Sequence, residues 1–337
     1  MKRIFLFAII TILAVGSVFA EQATLIDFSL LAKDEDEEVG DEAVGTAAIP
    51  MNTATRMDYS AKADSSYTEA QRKIMITSLA IENWDVSLAS SSRNVTNNRL
   101  SYTKEAASKQ YTTVMGVRVH FPVESYNSWA VVKPPFEIPA FEPKEDSEDG
   151  SSKFEGGLGV VKNVGAIKSI QVQAYGLNFP HGLSILLLDA NGNEKKIFLG
   201  YMDFEGWGKI IWNNPAYQQE VRTRALRLYP IYPQSDVNLV KFGGFQISRN
   251  GEQVGGDFIT YFKDVQIIYD LAVQPTAKDG ADIVDEDVWD ITKDREAARE
   301  KNQMKELGKK QVLRYLEGRR QATESFNADE SAAQATE

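Results

Sequence analysis

The central part of the chain, residues 72–272, consists of short runs in which apolar and polar side chains alternate. In residues 117–121 and again in residues 170–174, every second side chain is apolar. Successive side chains of a β-strand point to opposite faces of the sheet, so these runs predict strands with one buried and one wet face. Residues 183–188 are more continuously apolar, which predicts a central strand covered on both faces.

Glycine, asparagine, proline and serine separate these runs and mark the turns. Asn191-Gly192 and Asn250-Gly251 each stand between two apolar runs, and Asn-Gly is a strong hairpin signal because both residues tolerate a positive φ. Many short strands without a long helical period predict a mainly β fold. We expect an antiparallel, jelly-roll-like β-sandwich over residues 71–272.

Two segments inside this region are predicted to be loops. Residues 133–143 contain four prolines, and proline cannot donate to the hydrogen-bond ladder of a central strand. Residues 144–153 are acidic and rich in serine and glycine, as connecting segments are.

The C-terminal residues 273–337 are predicted to form a charged helical extension that ends in a polar, disordered tail at 327–337. Apolar side chains recur there at spacings of three to five, which is typical of a helix with a narrow apolar stripe. The helix either folds back on the sandwich or docks on another protein. The stripe consists of Trp289, Ile291, Met304, Leu307, Val312, Leu313 and Leu316.

The first twenty residues have the three parts of a secretory signal peptide. Lys2 and Arg3 precede a largely apolar run over residues 4–15, and Ala20 stands before the charged Glu21. The run is short for a membrane span, so we expect export to the periplasm or beyond, with cleavage between Ala20 and Glu21. A retained N-terminal membrane anchor is the alternative.

Residues 21–70 are predicted to form an acidic N-terminal arm. Residues 34–38 are all acidic, and a block of like charges repels itself and resists packing. Residues 25–31 interrupt the arm with a short apolar patch. This patch pairs either with the protein's own sheet, which the pattern slightly favours, or with a neighbouring molecule.

The composition narrows the classes of function. A chain of 337 residues with 43% hydrophobic content can build one large domain or two modest ones. Its formal charge of −11 disfavours nucleic acid and anionic membranes as partners. The absence of cysteine excludes disulfides, thiol nucleophiles and cysteine metal sites.

The sequence lacks the parts of common hydrolytic centres. Its two histidines, His120 and His181, have no nucleophile motif and no second histidine at ligand spacing nearby. We expect both on the surface. Glycoside hydrolysis stays open as an alternative, because it needs only two carboxylates held at the right separation across a cleft, and the sequence does not show that separation. We expect no enzyme, no cofactor and no metal site.

Aromatic residues are concentrated in one third of the chain. Exposed rings stack on sugars or anchor protein interfaces, whereas buried rings fill a core, and the second role is the commoner one. Trp207 is the best candidate for exposure because glycines flank it on both sides. The candidates for interface or glycan contact are Trp207, Trp212, Tyr217 and Tyr229, with Tyr232 and Tyr261 in the same region.

Several uncommon short sequences follow one another between residues 206 and 270. They are GW at 206–207, WNNPAY at 212–217, VR at 221–222, YP at 229–230, FGGFQISR at 242–249, GGDF at 255–258 and YFKDV at 261–265. In order and spacing they resemble the flagellar filament outer layer proteins, or sheath proteins, of spirochaetes. The resemblance extends over most of the chain, from the signal peptide to about residue 270.

This resemblance implies a structural protein of periplasmic flagella. Such a protein coats the flagellin core and contributes to filament shape, stiffness and motility, and the family has no catalytic residues to carry over. The partners that the resemblance implies are the core flagellins and neighbouring coat subunits. The cluster of tryptophans and tyrosines adds the hypothesis of contact with glycans on the core. From the negative charge and the removal of the signal, we expect no nucleic acid and no membrane as partners. The alternative is an exported carbohydrate-binding module.

Overall fold

The computed structural model describes residues 20–34, 38–39, 48–63, 65–141, 153–217 and 237–272, together with helical residues 295, 297–299, 301–302, 306–317 and 320. Numbered in chain order, its strands are β1 (Glu21–Asp27), β2 (Glu38–Val39), β3 (Ile49–Pro50), β4 (Met57–Asp58), β5 (Ile76–Thr77), β6 (Asp85–Leu88), β7 (Tyr102–Ala107), β8 (Thr113–Phe121), β9 (Ser128–Lys133), β10 (Val160–Lys162), β11 (Val164–Leu177), β12 (Gly182–Leu188), β13 (Glu194–Tyr201), β14 (Glu205–Asn213), β15 (Leu239–Arg249) and β16 (Gly256–Leu271). Two short helices are α1 (Glu69–Ile74) and α2 (Val95–Leu100).

Most strands belong to two antiparallel sheets. The first sheet has the order β14-β11-β16-β8-β7, with β1 also paired to β16. The second has the order β13-β12-β15-β9-β6, with β10 also paired to β15. Phe245 of β15 stacks on Phe262 of β16 with their ring centroids 4.3 Å apart, so the sheets pack face to face. The predicted antiparallel β-sandwich is confirmed.

The hairpin predicted at Asn191-Gly192 joins β12 to β13. Leu188 pairs with Glu194 across it, and Gly192 has a φ of +77° that glycine adopts without strain. The Asp189 carboxylate accepts a hydrogen bond from the backbone N–H of Asn193 at 2.8 Å. The turn residues named from the sequence therefore make the connection.

Phe28 occupies the centre of the space between the sheets. It lies in a 3₁₀ turn, Phe28–Leu31, directly after β1. Its ring is fully buried and contacts Trp84, Phe242, Phe245 and Phe262 at centroid distances of 5.6 to 6.5 Å. The first turn of the predicted arm thus supplies the middle of the core.

The described residues of the predicted N-terminal arm pack on the sandwich. The apolar patch at 25–31 forms β1 and the following turn, so its pairing with the protein's own sheet is confirmed. Met51, Met57 and Tyr59 are also buried, which corrects the expectation of a mobile arm for these residues. Apolar side chains outweigh the acidic block there, and residues 35–37 and 40–47 lie outside the described residues.

The proline-rich segment is a loop, as predicted, but its apolar side chains are buried. Phe136 packs edge-on against Phe154 at 6.1 Å and against Tyr59 at 6.3 Å. In this loop the carboxylate of Glu137 lies 3.4 Å from Nζ of the fully buried Lys241. The acidic connector at 144–152 lies outside the described residues.

Residues 306–317 are helical, as predicted, and they contact the sandwich. Val312 is buried in the core, and Leu307 packs against it. Gly308 permits this approach, because a Cβ there would lie 3.0 Å from Cβ of Tyr59. No helix within the described ranges has the length and apolar character needed to cross a bilayer. Outside the described residues lie Trp289, Ile291, Met304 and the tail at 327–337.

The surface position expected for His181 is wrong. His181 is 3% exposed and lies against the rings of Phe121 and Phe258, at centroid distances of 5.2 and 4.7 Å. It directly precedes the interior strand β12, so its side chain already faces the core. Burial, and then the charge on Arg249, lower the pKa of His181 to about 4. Neither ring nitrogen has a hydrogen-bond partner in the described part of the chain.

Replacing Phe28 with alanine is expected to lower the free energy of unfolding by about 3–5 kcal/mol, the usual cost of emptying a phenylalanine site in a core. Leu30→Ala in the same turn is the control, because Leu30 is 47% exposed. Urea unfolding followed by tryptophan fluorescence measures both. Equal losses for the two variants would contradict a central role for Phe28.

Stability is expected to fall on acidification because of His181. Between pH 6.5 and 4 the unfolded chain protonates this imidazole and the folded chain does not, which removes about 2 kcal/mol between pH 7 and pH 5. His181→Phe, which keeps the aromatic packing, should lack this part of the pH dependence. Phe258→Leu, a neighbouring substitution that does not titrate, should keep it. Parallel profiles of unfolding free energy against pH for wild type and His181→Phe would refute the assignment.

Candidate functional site

The first sheet carries a row of aromatic side chains across adjacent strands. Trp207 on β14 stands opposite Tyr175 on β11, and Tyr175 stands opposite Tyr261 on β16. Directly opposed residues of neighbouring strands lie on the same face of a sheet. The ring of Tyr175 lies edge-on to both neighbours, 5.4 Å from the Trp207 ring and 6.0 Å from the Tyr261 ring.

The row lies on the outer face, away from the core. Ala174 and Phe262, the chain neighbours of Tyr175 and Tyr261, are fully buried between the sheets. Because side chains alternate along a strand, the two tyrosines point the other way. Together with Trp207 they are only partly buried. Solvent therefore reaches all three rings.

Gly116 ends the row on β8, opposite Tyr261. A Cβ at Gly116 would lie 3.2 Å from Cε1 of Tyr261 and 3.1 Å from the carbonyl oxygen of Lys104. The absence of a side chain thus lets the Tyr261 ring lie down against β8. Any larger residue at this position would displace the ring.

The β7–β8 hairpin forms a wall beside the row. Its Tyr111 ring packs edge-on against Trp207 at 4.8 Å, and the Gln110 amide donates to the Tyr111 hydroxyl at 3.3 Å. Between wall and row lies an open groove of about 580 Å³. Its lining consists of Ala106, Ala107, Ser108, Lys109, Gln110, Val114, Tyr175, Leu177, Trp207 and Tyr261.

Polar groups of the row are available to a ligand. The indole N–H of Trp207 and the hydroxyls of Tyr175 and Tyr261 make no hydrogen bond within the described part of the chain. Gln173 stands two residues before Tyr175, on the same face and partly exposed. The groove therefore combines ring faces with uncharged hydrogen-bonding groups and the single cation of Lys109.

A charged cluster on β8 and β16 borders the row on the same face. Arg118 donates to both oxygens of Asp257, at 3.2 Å from Nε and 2.8 Å from Nη2, and Nδ1 of His120 lies 2.7 Å from the same carboxylate. The hydrogen bond from Arg118 is the largest cause that lowers the pKa of Asp257. These charges are engaged with one another, and His120 is partly exposed, as expected.

The structure brings one of the four candidate aromatics into the groove. Trp207 is partly exposed there, as expected, whereas Trp212 packs against the core. The hydroxyl of Tyr217 donates to Asp270 at 3.1 Å, and Nζ of Lys168 lies 5.5 Å from its ring. Tyr229 lies outside the described residues.

Sequence reasoning missed Tyr175 and Tyr111. Tyr175 directly follows the alternating run at 170–174. Because side chains alternate along a strand, Tyr175 and the buried Ala174 point to different faces of the sheet, so the outward position of Tyr175 could have been deduced from the sequence. Its meeting with Trp207 depends on the β11–β14 register, which the sequence does not encode locally. Tyr111 lies far from Trp207 in the chain and reaches it only through the fold.

Among the residues described, no group of three or more histidine, aspartate or glutamate side chains is arranged to hold a metal ion. The groove itself has one ionisable cation, Lys109, and no carboxylate in its lining. Its chemistry is that of contact and hydrogen bonding.

Comparison with known proteins gives a consistent family. The family described as "Flagellar filament outer layer protein Flaa" matches residues 48–277. The flagellar filament outer layer protein of Treponema pallidum (strain Nichols) is 40% identical over 344 residues, covering 96% of this chain and 95% of the relative. That of Spirochaeta aurantia is 44% identical over 319 residues, covering 92% and 90%. That of Borreliella burgdorferi is 32% identical over 270 residues, covering 77% and 72%.

Similarity to solved structures is weak. TmCBM61 in complex with beta-1,4-galactotriose has a TM-score of 0.27 at 9% identity, covering 55% of this chain and 88% of that chain. The family 11 carbohydrate-binding module from Clostridium thermocellum has a TM-score of 0.26 at 11% identity, covering 57% and 91%. Likenesses of this size do not carry a ligand over to this chain.

Proposed function

The chain belongs to the family of flagellar filament outer layer proteins, and we propose that it is exported and coats the flagellin core of a periplasmic flagellum. The family match over residues 48–277 carries this proposal. As a coat subunit, the protein contributes to the shape and stiffness of the filament and so to motility.

Export is supported by the position of the first strand. β1 begins at Glu21, the residue that follows the proposed cleavage site, and Glu21 pairs with Tyr269 at the end of β16. Cleavage after Ala20 would leave the strand complete. Removal of Lys2 and Arg3 would also make the mature protein two charges more negative, which suits contact with proteins better than with anionic lipid.

The proposed role is structural rather than catalytic. The titratable groups beside the aromatic row, Arg118, Asp257 and His120, are already paired with one another. The lining of the groove has no pair of carboxylates across which a glycosidic bond could be cleaved. We therefore assign the outer face to binding.

The proposed partners are the core flagellins and neighbouring coat subunits. Besides the aromatic face, the C-terminal helix offers a surface for such contacts. Its Leu313 and Leu316 are 65% and 47% exposed, while Val312 is buried in the core. A helix that is anchored by one apolar side chain and leaves others exposed can contact a neighbouring molecule. We also propose that the sandwich domain ends near residue 272, whereas β1 and the turn after it already belong to the sandwich, so no domain boundary is proposed near residue 70.

The mature protein is expected to begin at Glu21. Intact-mass measurement of the protein purified from cells should show the loss of residues 1–20. Ala20→Lys should leave the precursor uncleaved, because signal peptidase requires a small residue before the cut. Gln22→Glu, beyond the cut, should be processed normally. A mature protein that retains residues 1–20 would contradict export by a cleaved signal.

Purified periplasmic flagella are expected to contain this chain. Graded washes with mild denaturant should release it before the flagellins, because an outer layer is held only by surface contacts. Immunoblots of the washes and the filament diameter in electron micrographs measure this order, with a soluble periplasmic protein as the control for carry-over. Recovery of the chain only with that soluble control would refute the coating role.

A further inference from the structure

We infer that the groove beside Trp207, Tyr175 and Tyr261 is a binding site for neutral saccharide rings. This inference rests on the proposed function for the ligand's source: a coat protein in the periplasm meets sugars attached to the filament core or the glycan strands of the cell wall. Both present the same chemistry, a ring with apolar C–H faces and equatorial hydroxyls.

The apolar part of the site is built before any ligand arrives. Trp207 is held between the Tyr111 ring at 4.8 Å and the Tyr175 ring at 5.4 Å, both edge-on. Tyr261 is held 6.0 Å from Tyr175 and lies down over Gly116. Rings fixed by their neighbours lose little entropy on binding, which favours stacking with the C–H face of a sugar.

Most of the polar groups in the site are uncharged, and Lys109 is the one charged side chain of the lining. Within the described chain the Trp207 N–H and the Tyr175 and Tyr261 hydroxyls have no partner, so each can bond a sugar hydroxyl. The amide of Gln110, which lines the groove, offers both a donor and an acceptor, and this matches the dual character of a hydroxyl. An acidic or basic ligand would find only Lys109 as a charged lining residue.

Core packing does not account for this row. The core lies on the other face of the first sheet, where Ala174 and Phe262 are fully buried. A purely structural role can explain two of the contacts: Tyr111 anchors the β7–β8 hairpin on Trp207, and Tyr261 covers the backbone at Gly116. It does not explain why Tyr175 and the exposed Leu177 also line the groove. The volume of about 580 Å³ lies in the usual range for small-molecule sites.

The test uses the full mature chain and two insoluble probes: flagellar core filaments stripped of their outer layer, and purified cell-wall sacculi. Core filaments are used untreated and after mild periodate, which opens sugar rings that carry neighbouring hydroxyls. The glycan strands of sacculi lack such pairs of hydroxyls, so sacculi are used with and without a soluble competitor, short oligomers of N-acetylglucosamine. Co-sedimentation should show that apparent affinity falls about tenfold or more for at least one probe, either for core filaments after periodate or for sacculi in the presence of the oligomers. The probe that responds identifies the source of the sugar.

Substitutions in the groove should reproduce this loss. Trp207→Ala is expected to weaken binding to the responding probe about tenfold or more, as removal of a central aromatic anchor does. Trp207→Phe should retain most of the affinity. The matched control is Trp129→Ala on the second sheet, where Trp129 is 43% exposed, and it should bind normally. Circular dichroism spectra confirm that each variant is folded.

The outcomes separate this inference from the coating role. Binding to core filaments that neither periodate nor Trp207→Ala reduces would overturn the saccharide site and leave the coating role intact. Saccharide-dependent binding to sacculi, without binding to core filaments, would support the site and refute the coating role. If periodate does not reduce binding to core filaments and the oligomers do not reduce binding to sacculi, the saccharide site is also overturned, and this result does not depend on any variant.

Discussion

The packing of Phe28 between the two sheets is the contact on which the rest of the sandwich depends. Without cysteine the protein has no covalent staple, so its stability comes from apolar burial. Phe28 contacts Trp84, Phe242 and Phe245 of β15 in the second sheet, and Phe262 of β16 in the first. Because these residues come from distant parts of the chain, one ring joins the N-terminal strand to both sheets.

The turn that holds Phe28 is connected to the outer face of the first sheet through Asp27 and Lys263. Asp27 precedes Phe28 and caps its turn by accepting a hydrogen bond from the Ser29 N–H at 2.9 Å. Burial alone would raise the pKa of Asp27, but hydrogen bonds from Lys263 and Ser29 outweigh it and lower that pKa. Nζ of Lys263 lies 2.6 Å from Asp27 and 5.9 Å from the ring centroid of Tyr111, the residue that supports Trp207. Core and groove are thus held by one chain of contacts.

The sequence predicts the fold class and the alternation of buried and exposed side chains along each strand. It does not predict which residues of neighbouring strands lie side by side. Alternation in β11 predicts that Ala174 and Tyr175 lie on opposite faces, and this is what the structure has. Opposition of Tyr175 and Trp207 is a matter of register between strands, so it appears only in the structure. The acidic block at 34–38 suggested an arm, yet the apolar side chains around it decide the packing. The sequence around His181 predicts an exposed turn. Its burial could not be predicted, because it depends on the rings of Phe121 and Phe258, which are remote in sequence.

The central claim is that this sandwich lies on the flagellar core with its aromatic face turned toward its ligand. β16 makes this possible, because Phe262 fixes the strand in the core while Tyr261 is presented outward. Electron cryomicroscopy of intact filaments tests the claim most directly. The account predicts density for the sandwich outside the flagellin core, with the β14-β11-β16-β8 face and Trp207 accessible to a glycan of the core or of the cell wall. A filament whose outer layer lacks this chain, or in which subunit contacts bury this face completely against protein, would contradict it.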